Sequence, residues 1–415
     1  MKILFIHQNF PGQFVHLAQH FVNEKNEVVA LGIQGRAVAG VKFLRYTAKI
    51  TDIPKEIPYL QDLYVKSIRG LACAQVMQQL DQSGFKPDIV IAHTGWGEAL
   101  FAKDVWPDVP VLSFLEFFYH AKGADFGFDL EFSKPTVQAR FGLRLRNAAH
   151  LMAMHAMDWG FTPTQWQLST LPPEYNKRVS VIFDGIDTEL IAPKQDAVFT
   201  VPGTQRQLTK RDQVITFVNR NLEPYRGCHT FFRSLPRILK DSPRAVVVIV
   251  GEDGISYGAP APKGKTWRGI FLDEVKGNLP AGWEARVLFA GRLQRDQFTA
   301  LLQVSSCHVY LTYPFILSWS CLEAMAVGCT VVASDTAPVK EVLQDGVNGL
   351  LTDFFDPIAL ANRVTDVLGS PAKYLQLGTN ARDTVVKTYD LKTKSLPAQI
   401  ALVQAVVTGI LPKNS

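Results

Sequence analysis

The stretch that most constrains the fold runs from His308 to Val342, HVYLTYPFILSWSCLEAMAVGCTVVASDTAPVKEV. His308 to Leu311 reads as a buried strand, an aromatic loop ends in Ser318-Trp319-Ser320, and a helix over Cys321 to Val327 is stopped by Gly328. Thr330 to Ala333 is a second buried strand, and another helix starts near Val339. In a parallel sheet, the loop after the first of these strands falls at the carboxyl edge, where open α/β sheets take ligands. The helix opening there offers free backbone N–H groups and a positive dipole end, which suit a phosphate. Glu323 is the one acid expected in its first turn.

The chain has 415 residues, more than one ordinary core accommodates, so two domains are expected. A hydrophobic fraction of 47% with 20% charged residues specifies a globular protein. The net charge of +5 is a mild lean toward anionic ligands or membrane surfaces and not the dense basic patch of a nucleic-acid binder. Cys73, Cys228, Cys307, Cys321 and Cys329 are scattered without metal spacing, which favours buried free thiols in a reducing compartment. The apolar run Ile3 to Ile6 is shorter than a signal peptide needs, and no run approaches the roughly 20 residues of a membrane span. A soluble, cytoplasmic protein is expected.

In the first half, the strand Ile3 to Ile6 leads through Pro11-Gly12 into a helix with Phe14, Leu17, Ala18, Phe21 and Val22 at helical spacing, then the strand Val28 to Leu31. This start lacks the GxGxxG fingerprint, and Gly12 serves either the turn alone or close approach of the backbone to a phosphate. The strand Pro87 to Ala92 ends at His93-Thr94-Gly95-Trp96-Gly97-Glu98, which reads as a binding loop, with His93 as a helix cap the alternative. Pro110 to Leu115 ends on Glu116, followed by a long aromatic and acidic loop containing His120 and Asp125. Rings beside carboxylates suit a carbohydrate, since apolar sugar faces stack and hydroxyls donate to carboxylates; a hydrophobic lid is the alternative. Ala139 to Trp159 interleaves Arg140, Arg144 and Arg146 with apolar residues, so it reads as a core helix with a solvated edge or as a helix lying on an anionic membrane. The polar stretch Ala192 to Lys210 reads as the interdomain linker.

The α/β pattern restarts at Val214 to Val218, whose exit loop carries Arg220 and Arg226 around Pro224. Two guanidinium groups at a strand's carboxyl end clamp a pyrophosphate from two sides without a metal ion. The next strand, Ala245 to Val250, closes on Gly251, and Val287 to Leu293 carries a loop placed to hold a planar base by backbone contacts, with Leu293 at its end. The last helix spans Leu396 to Ile410.

The segment LEAMAVGCTVVASDTAPVKEVLQDGVNGLL resembles the donor-binding signature of glycosyltransferase family 4, the retaining enzymes of GT-B fold, and RNLEPYRG is similar to that family's donor clamp. HQNFPGQFVHLA, AHTGWGE, FLEFFYH and GADFGFD resemble the bacterial subgroup with a distinct N-terminal domain. The resemblance implies an α/β GT-B fold of two Rossmann-like, doubly wound parallel-sheet domains facing a central cleft. Residues 1–190 would form the acceptor-side domain, 191–210 the linker, 211–395 the donor domain and 396–415 a helix packing back across both.

It also implies roles. Arg220 and Arg226 hold the diphosphate, Glu323 accepts from ribose hydroxyls, and Gly12 approaches the donor phosphate and reacting sugar. Glu116 stands where many relatives place a histidine beside the sugar. Gly251, Leu293, Ser318 and Ser320 complete the donor side, and His93, Trp96, His120 and Asp125 are the acceptor-side candidates. The family's first glutamate, eight residues before Glu323, is replaced by Phe315, so its sugar contact is missing or falls to Ser318, Ser320 or another residue.

The function expected is retaining transfer of a sugar from a nucleoside diphosphate sugar to a hydroxyl acceptor (a glycan, a glycolipid or a small molecule), with no cofactor and no metal. The partners expected are a nucleotide sugar and a sugar or glycolipid acceptor, with no nucleic acid; contact with the inner membrane face is the basic helix's second reading. A catalytically silent sugar-nucleotide-binding subunit and a GT-B-fold sugar-nucleotide isomerase are the competing functions.

Overall fold

Strands covered on both faces carry continuous Val, Ile and Leu runs, and the runs in this chain form two parallel sheets. In the computed structural model, which describes residues 1–51 and 57–412, the chain divides into two units. Met1–Gly185 and the chain from Lys392 onward form the first, and Ile186–Leu391 the second.

The first unit holds a seven-stranded sheet in the order Lys42–Arg45, Glu27–Gly32, Lys2–Ile6, Ile89–His93, Val111–Phe114, Trp159–Thr162, Val179–Val181, all pairs parallel. Side chains alternate across it. Ile3 and Phe5 join the cluster beneath the helix Val15–Asn23, whereas Leu4 and Ile6 join Cys73, Met77 and Leu80 of the helix Gln61–Gln82. Strand order reverses at Lys2–Ile6, whose sequence neighbour Glu27–Gly32 lies on one side and the later Ile89–His93 on the other. The carboxyl ends of these central strands therefore frame a switch point, the usual ligand position of such sheets.

The second unit repeats the scheme with six parallel strands in the order Val287–Gly291, Val246–Glu252, Val214–Asn221, Cys307–Tyr310, Val331–Ser334, Leu350–Thr352. Its switch point lies between Val214–Asn221 and Cys307–Tyr310, at the loop singled out from the sequence.

Two expectations are corrected. The stretch read as a linker contains an antiparallel hairpin, Val198–Thr200 with Gln207–Thr209, and its Phe199, Val201 and Leu208 are buried in the second unit's core. Its Pro and Gly content reflected a turn rather than an unfolded connection. The last helix, Leu396–Thr408, packs Leu402, Val403 and Val406 into the same cluster as Ile3 and Phe5 and so belongs to the first unit. All five cysteines are buried thiols. Among the described residues no helix is long and apolar enough to cross a membrane.

Candidate functional site

At the switch point of the first sheet, the residues that leave the central strands converge. His7 follows Lys2–Ile6, His93 ends Ile89–His93, and Glu116 follows Val111–Phe114 by two positions. Each histidine accepts a backbone N–H from two residues ahead on its Nδ1, His7 from Asn9 at 3.0 Å and His93 from Gly95 at 3.1 Å. An accepting ring nitrogen carries no proton, so each ring presents an N–H at Nε2. His7 Nε2 donates to Gln13 Oε1 at 2.9 Å, which orients the amide so that Gln13 Nε2 donates to Glu116 Oε1 at 3.4 Å. His93 Nε2 stands 3.6 Å from Glu116 Oε2. The carboxylate thus accepts from Gln13 on one oxygen and faces the His93 ring with the other, with 30% of its side chain still exposed.

Trp96 stacks on His93 with ring centroids 4.0 Å apart, and His7 lies 5.0 Å from Trp96. Gly12 has φ +48°, and a Cβ there would lie 2.1 Å from His7 Nε2, so the turn has room for glycine alone. Burial first, then the neighbouring His93, push the His7 pKa down to about 3 against the opposing pull of Gln13 and Glu116. His7 is therefore neutral across the ordinary pH range.

The acceptor-side candidates divide. His93 and Trp96 join Glu116. The His120 ring instead donates to the Thr170 carbonyl at 2.5 Å, a structural bond that fixes the loop, and Asp125 is buried.

At the switch point of the second sheet the two arginines differ. Arg220 is exposed near the end of Val214–Asn221. Arg226 is 6% exposed, and its Nη1 donates to the Tyr310 hydroxyl at 3.2 Å, the Thr312 hydroxyl at 2.7 Å and the Ile316 carbonyl at 3.0 Å. Burial opposes its charge, but Tyr310, Tyr257 and Glu223 outweigh that and hold its pKa above the ordinary arginine value. The symmetric clamp expected from sequence is corrected in this respect: one guanidinium faces solvent, and the other ties down the loop after Cys307–Tyr310.

That loop leads into the helix Trp319–Ala326, capped by Ser318, whose hydroxyl accepts from the Ser320 N–H. The Ser318 N–H donates to the Tyr310 hydroxyl at 2.8 Å, so Tyr310 joins Arg226 to the helix start. The helix begins two residues earlier than expected because Ser318 caps it, and Glu323 consequently lies beyond the first turn. Glu323 is buried and pairs with Arg295 at 2.5 Å; burial raises its pKa while Arg295 pulls it down. Phe315 is buried, with ring centroids 5.0 Å from Tyr257 and 5.4 Å from Tyr225. Gly251 has φ +150°, where a Cβ would meet the Asn219 carbonyl at 3.0 Å. Leu293 turns its side chain onto the second unit's core, leaving its backbone for any contact.

Several residues of these edges were not singled out in the sequence. Glu223 accepts the backbone N–H groups of Ser256, Tyr257 and Gly258, and Asn221 accepts that of Gly254 and donates to the Ser256 hydroxyl. Together they pin the loop after Val246–Glu252 against the Arg226 turn. Their signal was their place inside RNLEPYRG; His7 and Gln13 were visible as the polar residues following the first strand.

Chemically, the second edge offers cations and helix amides to an anion, and the first offers a positioned carboxylate beside an aromatic ring. Residues 24–191 match the family model "Glycosyl transferase family 4 group", and residues 204–384 match "Glycosyl transferases group 1". The first stretch is thus similar to the family 4 glycosyltransferases and the second to group 1 of the same enzyme class.

Among curated relatives, the chain is 23% identical to D-inositol 3-phosphate glycosyltransferase of Corynebacterium efficiens, over 52% of this chain and 50% of that protein. It is likewise 23% identical to spore coat protein SA of Bacillus subtilis, over 51% and 54%. The chain thus spans about half the length of the curated relatives it matches. Among solved structures, sucrose-phosphate synthase from Thermosynechococcus elongatus superposes with a TM-score of 0.71 at 16% identity, covering 99% of this chain and 100% of that one. Anabaena HepE in complex with UDP-glucose superposes with a TM-score of 0.66 at 18% identity, covering 98% and 99%. These likenesses show the GT-B fold, with two parallel-sheet α/β domains.

Proposed function

We infer that this protein transfers a sugar from a nucleoside diphosphate sugar to a hydroxyl acceptor with retention of configuration. The observation that carries the reading is the cationic edge of the second sheet. An exposed Arg220, a buried Arg226 and the amides of a capped helix start are gathered at one switch point. That HepE was solved with UDP-glucose adds support for a uridine donor.

On this reading, Arg220 and the amides near Ser318 and Ser320 receive the diphosphate, and Arg226 keeps that loop in place from behind. Glu323, released from or shared with Arg295, accepts from the ribose hydroxyls; a carboxylate beside the diphosphate itself would repel it. Gly251 and Leu293 contribute backbone to the base. As transfer proceeds, the bond from the anomeric carbon to the diphosphate oxygen breaks and negative charge gathers on the leaving group, where cations and amides count most. The acceptor oxygen bonds to the same face of that carbon, and its proton passes to the departing phosphate oxygen. In the first unit, Glu116 accepts from a sugar hydroxyl and offsets the positive charge developing on the ring, with Gln13 and His93 fixing its direction and Trp96 offering an apolar face.

A second reading has an observation of its own. Phe315 is buried among Tyr225 and Tyr257, so the loop carries no acid at the position where the family uses its first glutamate. This favours a subunit that binds sugar nucleotides without turning them over. Incubation with UDP-, GDP- and ADP-sugars and a panel of hydroxyl acceptors separates the two. Nucleoside diphosphate release that requires an acceptor supports transfer. Tight binding without release on any pair would sink it, and interconversion of the donor sugar would indicate an isomerase.

A further inference from the structure

Asn147, on the helix Val137–Ala156, grips the aromatic loop after Glu116. Its side chain accepts the Tyr119 backbone N–H at 3.1 Å and donates to the Tyr119 carbonyl at 2.7 Å. With His120 fixed on the Thr170 carbonyl, the loop is held off the helix, and a cavity of about 450 Å³ remains between them. That volume lies within the range of ligand pockets, roughly 300 to 1,000 Å³. Phe118, Tyr119, Phe141, Leu143 and Leu151 form much of its wall, and among the described residues no carboxylate lines it. At its mouth Val137 is 54% and Phe141 51% exposed, four residues apart on one helix face.

A sugar fits this cavity poorly. Its hydroxyls would need acceptors, and the one side-chain amide on the wall among the described residues, that of Asn147, is already spent on Tyr119. Water is equally short of partners. Among the described residues the wall's permanently charged side chains are Arg140 and Arg144, both exposed and one helical turn apart. The helix carries a third arginine, Arg146, and no acid over its 20 residues. A hydrocarbon wall with paired guanidinium groups at its rim complements an anionic amphiphile, since a phosphate takes two guanidinium groups and an alkyl chain takes the rings.

We propose that this cavity takes an acyl chain of an anionic phospholipid, with Arg140 and Arg144 on the lipid phosphate, and so seats the first unit on an anionic membrane surface. The binding is independent of sugar transfer and is measured without any sugar nucleotide.

The test uses the full chain and vesicles of phosphatidylcholine with or without phosphatidylglycerol, together with a fluorescent single-chain lysophosphatidylglycerol below its micellar concentration. Binding to the phosphatidylglycerol vesicles and to the lysolipid is expected, with little to phosphatidylcholine alone. Arg140→Gln with Arg144→Gln should weaken vesicle binding about thirtyfold, from the ~1 kcal/mol that each basic residue contributes near such a surface. Ala121→Trp places a ring on the exposed side of the cavity wall and should weaken lysolipid binding about tenfold or more at unchanged charge, the loss expected for shutting out two or more methylenes. Thermal unfolding of both variants establishes that they fold. Equal binding to both vesicle types overturns the proposal. Loss in the arginine variant without loss in Ala121→Trp overturns it too, because the chain then lies outside the cavity. Glycerol phosphate competing as well as the lysolipid would mean a free phosphate site, and would also overturn it.

Discussion

The carboxyl edges of the two sheets stand on the same parallel scaffold and carry opposite chemistry. At the first, a part-exposed carboxylate, Glu116, accepts from Gln13, which the His7 ring orients, and faces His93, whose ring is oriented by a backbone amide. At the second, one arginine is exposed and the other is buried under three acceptors. In each the exposed charge is what remains available to a ligand, and the buried polar groups behind it hold the geometry. Substitutions should therefore separate into those that cost stability and those that cost function alone.

The largest effect is expected at Arg226. Its replacement by alanine strands the Tyr310 and Thr312 hydroxyls and the Ile316 carbonyl in a buried site and opens a cavity, at a cost of about 4 kcal/mol in unfolding free energy. Urea unfolding measures it. A loss under about 1 kcal/mol would mean that the loop does not depend on this guanidinium, and the contrast between the edges would fail.

Glu116→Gln comes next. The amide keeps the size but loses the charge, so kcat should fall about a hundredfold, or ~3 kcal/mol, with little change in thermal stability. Retained activity would remove Glu116 from the reacting sugar and leave the first edge a purely structural cluster.

What the two units share is acid sensitivity. His7 in the first and His308 in the second are buried, and burial holds the pKa of each down to about 3; for His7 the adjacent His93 adds to this, while Gln13 works against it. Between pH 6.5 and pH 3 the unfolded chain binds protons that the folded chain does not. Stability is therefore fully present above pH 6.5 and lost as pH falls below it. Each histidine should cost about 2 kcal/mol between pH 7 and pH 5. His7→Gln and His308→Gln should each flatten the pH dependence of the urea midpoint. An unaltered slope in both variants would show that neither ring stays neutral in the fold.

Much of this could be read from the sequence, and the limits have physical causes. Short Val and Ile runs announce buried parallel strands because burial on both faces leaves little choice of residue, so the switch-point loops and the positions of Arg220 and Glu116 at strand ends could be read directly. The hairpin around Phe199 was missed because two three-residue strands give no periodicity to read. Glu223 was passed over because its partners, the amides of Ser256 to Gly258, are more than thirty residues away and carry no side-chain signature. The unequal arginines show the same limit. Composition and spacing are identical for a guanidinium turned outward and one turned inward, and only the positions of Tyr310 and Thr312 decide between them.

The smallest effect, and the sharpest use of the comparison, is at Arg220. Its side chain is exposed, so alanine should leave unfolding free energy within about 0.5 kcal/mol. If the exposed cation meets the diphosphate, the Kd for UDP should rise about tenfold, ~1.4 kcal/mol, and the difference from the parent protein should shrink at high salt as the charge is screened. Calorimetric titration at two salt concentrations reads both effects. An Arg220→Ala protein that binds UDP as the parent does would leave the helix amides to carry the diphosphate alone. If Arg226→Ala, refolded and checked for structure, also bound UDP unchanged, the cationic edge would have no part in donor binding. The two arginines are thus assayed by different losses, stability for the buried one and affinity for the exposed one, and a swap of those losses would contradict the geometry.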